Sequence, residues 1–217
     1  MPIKKSKGSL EEEQETKPSK DEQPESAKEA DAALSGLLSE LERPDVRSIA
    51  IFGEIEEERA SEVCVGLIML GQSAAKEESP KPIDFWISTY GGNADDMFAI
   101  YDVMNVIKKK CEVHTYGIGK VMSAGVLLLA NGTAGKRKVG KNCRVMIHSC
   151  NAGSVGDIHN LKNEMSAIQH QQDQYINALV QSSSMTKRQL TRLLDRKVNV
   201  YLTAEEAIEY GIADEII

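Results

Sequence analysis

The sequence predicts an α/β fold, a sheet of parallel strands with helices crossing between them. Three observations carry this expectation. From about Arg47 onward, short apolar runs of strand length alternate with segments whose apolar residues recur every three to four positions. Such alternation implies parallel strands joined by right-handed crossovers. Glycines stand where strand-like runs give way to helical ones, at Gly91, Gly92 and Gly119. The chain has 217 residues, 41% of them hydrophobic, which is enough for one domain with a substantial core and an extension.

The extension comes first. Residues 1–30 are rich in Glu, Lys, Ser, Gln and Pro and nearly devoid of large apolar side chains, so they read as a disordered acidic tail. Residues 31–46 read as a short amphipathic helix and linker. Leu34, Leu37, Leu38 and Leu41 share one face, and Pro44 stops the helix. The body is expected over residues 47–217.

Within the body, SIAIFGEI predicts a strand and ERASEVCVGLIMLGQSA an amphipathic helix. After a polar loop, IDFWIST predicts a buried strand, YGGN a turn and ADDMFAIYDVMNVIKK a second helix. EVHTYGIG predicts a strand and SAGVLLLANG a third helix, followed by a turn at KRKVG and a strand at CRVMIHS. A long helix follows from Asp157, its apolar side formed by Ile158, Leu161, Met165, Ile168, Tyr175, Ile176 and Leu179. TKRQLTRLLDR and TAEEAIEYG predict two short helices, and the chain ends on IADEII.

Composition excludes several roles. A formal net charge of −7 and a pI near 5.3 argue against a nucleic-acid surface. No apolar run is long enough to span a bilayer, and the lysines near the N-terminus are not followed by the apolar stretch of a secretory signal. The four cysteines, Cys64, Cys111, Cys143 and Cys150, lack metal-ligand spacing and read as reduced thiols of a cytoplasmic protein. No cofactor or metal is expected.

Three pieces could make a reactive site. Ser123 opens an apolar helix directly after a strand, at the positive helix end beside free N–H groups. The ordinary role of such a serine is an N-cap. His148 ends the apolar strand VMIH, where a structural, hydrogen-bonded histidine is the commoner case. Gly91-Gly92 would ordinarily make a tight turn, but a bare backbone also approaches substrate closely and offers N–H groups to an oxyanion. A serine nucleophile needs a base within reach and pre-oriented donors for the tetrahedral intermediate. Together, in this order, the three pieces outweigh their separate ordinary roles.

These residues lie in motifs that resemble the proteolytic subunit of the ATP-dependent Clp protease: IAIFGEIEEERASEVCVGLIML, WISTYGGNADDMFAIYDVM, YGIGKVMSAGVLLLANGTAGKRKVGKNCRVMIHS and YLTAEEAIEYGIADEII. The resemblance covers about residues 47–217. It implies a crotonase-like spiral of repeated β-β-α units with a protruding handle helix from Asp157. It implies a serine endopeptidase with Ser123 as nucleophile, His148 as general base and acid, and the N–H groups of Gly92 and Ala124 as the oxyanion hole. SCNAGSVGD after His148 resembles the stretch that binds substrate backbone as an added strand. The implied assembly is a homo-oligomeric heptameric ring, single or stacked in pairs, fed with unfolded polypeptides by an AAA+ unfoldase.

The chain departs from the family pattern at several positions. Counting back from Leu202, the third triad position is Asn199, where the family has Asp; Asp195, four residues earlier, is the alternative. Val198 replaces an arginine used between rings, Tyr90 replaces a proline, and Ala124 replaces a methionine. These changes mark a divergent or viral member. Asn199 and Val198 also motivate a competing reading, a catalytically weak or silent ring subunit; the shared spiral fold motivates another, a crotonase-type acyl-CoA enzyme, which would need no Ser-His pair.

Overall fold

In the computed structural model, residues 46–76, 78–196 and 198–217 are described. The expected tail over residues 1–30 and the Leu-rich helix before Pro44 lie outside the described residues. The body is α/β with a mostly parallel sheet, as expected from the alternation.

Strand β1 (Ser48–Ile55) leads into helix α1 (Glu57–Ala74), and β2 (Ile83–Gly92) into α2 (Ala94–Ile107). β3 (Val113–Met122) leads into α3 (Ala124–Ala130). Then come β4 (Arg137–Val139), β5 (Arg144–Ile147), the long α4 (Ile158–Gln181), α5 (Lys187–Leu194), β6 (Val200–Leu202), α6 (Ala204–Glu209) and β7 (Glu215–Ile216).

Periodicity decides which faces are buried. α1 buries Ala60, Val63, Leu67, Gly71 and Ala74, spaced three or four apart, and leaves Val65, Ile68 and Met69 exposed. α2 buries Met97, Ile100, Met104 and Ile107. α3 is buried on every side, with Val126, Leu127, Leu128 and Leu129 wholly enclosed, which makes it the central peg of the core.

β1, β2 and β3 pair in parallel. β3 then forks. Its first half, Thr115–Gly117, pairs with β4, while its last residues, Lys120–Met122, pair in parallel with β5. The fork brings the C-terminal ends of β2, β3 and β5 to one edge of the sheet.

The sequence expectations need four corrections. The stretch YGG is not a turn; β2 continues through Gly92, and a register shift after Ile87 or Phe52 absorbs the irregularity on each side. KRKVG holds strand β4, which pairs with the chain's last strand, β7. Not all strands are parallel, because β6 runs antiparallel to β5. The apolar side of α4 is buried only toward its end, at Tyr175, Ile176, Ala178 and Leu179; Ile158 and Met165 are 65% and 68% exposed. The first turns of α4 therefore project into solvent, as a handle would.

Candidate active site

Ser123 follows the last residue of β3 and precedes the first of α3. Its backbone sits at φ 54° and ψ −123°, and it is the one non-glycine residue at positive φ among the described residues. An L-residue held there is strained by about 1–3 kcal/mol, and persists only where its surroundings fix it. Ser123 occupies the N-cap position, yet its side chain makes no capping bond. The hydroxyl is therefore not spent on the ordinary role of a helix-start serine.

The surroundings that fix the turn are identifiable. The Ser123 N–H donates to the Met146 carbonyl of β5 at 2.8 Å. Gly91 lies directly behind: a Cβ on it would stand 2.6 Å from Ser123 Cβ and 3.0 Å from the Met122 carbonyl oxygen. Its φ of 102° also excludes ordinary side chains. A Cβ on Gly92 would strike the backbone of Ile55, which has no freedom to move aside. The paired glycines are thus required by the close passage of β1, β2 and the Ser123 turn.

β5 delivers the histidine. Met146 pairs with Met122, so two residues on, His148 emerges beside the Ser123 turn. Ser123 and His148 are both half-buried and line one cleft of about 650 Å³. Gly92 and Ala124 line it as well. The sheet edge where three parallel strands end is the expected place for ligand in an open α/β sheet.

The two candidates for a third member are placed differently. β6 pairs with β5 through Val145–Leu202, Met146–Tyr201 and Ile147–Val200. The ladder ends there, with His148 the residue after β5 and Asn199 the residue before β6. Asp195 caps the end of α5, four residues earlier, and is exposed. Asn199 is also exposed and does not line the cleft.

Helix α4 supplies groups that sequence reasoning missed. Ile168, Gln171 and Tyr175 line the cleft, and Gln172 accepts the Cys150 N–H at 3.1 Å. Gln171 donates to Asp95 at the start of α2. The spacing of residues 168, 171, 172 and 175 is that of one helical face, and this was the available signal. In the sequence, Tyr175 passes for one more apolar residue. In the fold, its hydroxyl donates to the Ser123 carbonyl at 3.2 Å.

Burial governs the titrating groups near the cleft. It pushes the Tyr175 phenol well above its usual range, with the nearby Cys150 adding to the effect. It also raises the Cys150 thiol. Both are neutral near pH 7. Among the described residues, no group of three His, Cys, Asp or Glu side chains is placed to hold a metal ion.

A free hydroxyl on a strained turn, an imidazole at the neighbouring strand end and a bare backbone beside them suit acyl transfer. Comparison with known proteins shows the family. The Clp protease family model matches residues 34–217, starting upstream of Arg47. The chain is 32% identical over 170 residues to the ATP-dependent Clp protease proteolytic subunit 1 of Leifsonia xyli subsp. xyli, covering 78% of this chain and 82% of the relative. It is 29% identical over 188 residues to the ATP-dependent Clp protease proteolytic subunit 2 of Corynebacterium diphtheriae, covering 87% of each. The corresponding subunit 2 of Corynebacterium efficiens is 29% identical over 171 residues, with 79% and 82% covered. The chain belongs to the Clp protease family.

Proposed function

We propose that this chain is a serine-type endopeptidase subunit of a self-compartmentalised protease. The strained, uncapped Ser123 in one cleft with His148 carries the reading. His148 takes the Ser123 proton as the hydroxyl attacks the scissile carbonyl, then returns it to the leaving amine. The N–H groups of Gly92 and Ala124 hold the oxyanion of the tetrahedral intermediate. Asn199 orients the imidazole through its side-chain carbonyl. The segment after His148 pairs with extended substrate backbone as an added strand.

The assembly is part of the same proposal: heptameric rings, stacked in pairs through α4, in the cytoplasm. Exposed apolar residues on α4 and α1 support it, since Ile158, Met165, Val65 and Met69 are each more than half exposed. An AAA+ unfoldase would feed unfolded polypeptides into the chamber; the "ATP-dependent" in the relatives' names supports this. Among the described residues, no helix is long and apolar enough to cross a membrane.

A fluorophosphonate probe tests the chemistry. The expected result is labelling of Ser123, with label and peptide hydrolysis both lost in Ser123→Ala while the assembly keeps its mass. Hydrolysis surviving in a clean Ser123→Ala preparation would mean that another nucleophile acts. The second reading, a weak or silent subunit, draws on Asn199, which brings no negative charge to the imidazolium. An assembled ring that takes no label would favour it.

A further inference from the structure

We infer that Tyr175 is a positioning residue for the oxyanion hole, acting through the peptide between Ser123 and Ala124. This rests on the serine-peptidase reading and deepens it. The Tyr175 hydroxyl donates to the Ser123 carbonyl oxygen at 3.2 Å. That carbonyl and the Ala124 N–H are the two ends of one planar amide. Holding the oxygen therefore fixes the direction of the N–H. Withdrawing electron density at the oxygen also makes the N–H a stronger donor, as in any chain of hydrogen bonds.

Three observations make the hydroxyl more than a satisfied core tyrosine. First, the carbonyl already has a partner: the Val126 N–H of α3 donates to it at 3.0 Å. The phenol adds a second donor to an acceptor that folding alone did not leave orphaned. Second, the peptide leaves the one non-glycine residue at positive φ among the described residues, where orientation is least guaranteed by backbone preference. Third, Tyr175 lines the cleft from α4, at helical spacing from Ile168 and Gln171, which line it too. The phenol remains protonated through the neutral and mildly alkaline range, because burial disfavours its anion.

The handle helix and the reacting centre are therefore joined by one hydrogen bond. α4 also touches the segment after His148, through Gln172 and the Cys150 N–H. A shift of α4 along its axis would move both the oxyanion donor and the proposed substrate strand.

Tyr175→Phe tests the inference in the full, assembled chain. The ring keeps its packing, and Val126 still satisfies the Ser123 carbonyl, so the variant should fold and assemble with an unchanged melting temperature. The expected kinetic result is a fall in kcat of about five- to tenfold with KM unchanged, the scale of one neutral hydrogen bond. A peptide boronic acid, whose adduct with the serine mimics the tetrahedral intermediate, should lose affinity by the same factor. Unchanged kcat and boronate affinity in Tyr175→Phe, beside a reactive wild type, would overturn this inference alone. Loss of melting temperature with KM raised and kcat intact would do the same, because it marks a packing role. A wild-type chain inert to both peptide and fluorophosphonate would overturn the serine-peptidase reading and this inference with it.

Discussion

Asn199 carries the clearest residue-scale consequence. It is the residue before β6 and His148 the residue after β5, flanking the last pair of the ladder, while Asp195 ends α5 four residues away. A side-chain carbonyl at that point can accept the histidine N–H and fix its tautomer. It adds no charge to stabilise the imidazolium that the proposed mechanism forms as Ser123 gives up its proton. Asn199→Asp should therefore raise turnover of a short peptide, by about tenfold, equivalent to about 1.4 kcal/mol off the barrier. Asn199→Ala should lower turnover, and Asp195→Ala should leave it close to the parent value. Steady-state kinetics on the three variants decides the matter. Activity lost in Asp195→Ala and kept in Asn199→Ala would assign the orienting role to the carboxylate.

At the scale of elements, the site depends on where β2 hands over to α2. Asn93 caps α2, its side-chain oxygen accepting the N–H groups of Asp95 at 2.8 Å and Asp96 at 3.3 Å. Its own N–H donates to the Ile55 carbonyl at 2.8 Å, which ties the helix start to β1. Asn93→Ala should cost about 1 kcal/mol of stability, the usual value of an N-cap, and Asn93→Ser should recover most of it. Urea midpoints at fixed protein concentration measure both. This junction also shows how much the sequence disclosed. Apolar patterning located β1, β2, β3, α1 and α2, because those elements each bury a face whose period matches their geometry, and α3 as an unbroken apolar run, because it is buried on every side. The glycine pair was legible as special, but its setting was not: Gly92 lies in a strand beside Ile55, and only the packing of β1 on β2 forces that. β4 was hidden for a related reason. KRKVG has two charged residues in a three-residue strand, and its pairing with β7 depends on contacts 77 residues away. The candidate site was legible in Ser123, His148 and Gly92 because they stand at the edges of apolar runs, Ser123 before one and the other two after. Tyr175 was hidden because a tyrosine on an apolar face has the same pattern whether its hydroxyl is idle or engaged.

At the scale of the whole molecule, Arg137 fastens the C-terminal segment to the core. Its guanidinium donates to the carbonyls of Ala130 at the end of α3, Ser182 after α4 and Gly211 after α6, at 3.3, 2.6 and 2.7 Å. It also grips the carboxylate of Asp214 with Nε and Nη2, while its backbone N–H donates to the same group at 3.0 Å. The pair is mostly buried, with 11% of the arginine side chain and 22% of the aspartate exposed. Burial alone would raise the Asp214 pKa. The hydrogen bonds from the Arg137 side chain and backbone, the charge of Arg137 and the Gly135 backbone outweigh it, so the carboxyl is held below the usual aspartate value. The sign of the pH effect follows. A carboxyl with a depressed folded pKa stabilises the fold fully above the unfolded value, about 4, and that contribution fades as pH falls through the lower folded value. Asp214→Asn should therefore cost on the order of 2 kcal/mol at pH 7, allowing for the partial exposure of the carboxylate. The gap between parent and variant should narrow as pH falls below about 4, where the parent loses the same ion pair. Urea unfolding at pH 7, 5 and 3, with protein concentration held constant, reads the gap directly. A gap that stays the same at all three values would show that Asp214 acts by shape and not by charge, and the fastening role would then fall to the three carbonyls alone.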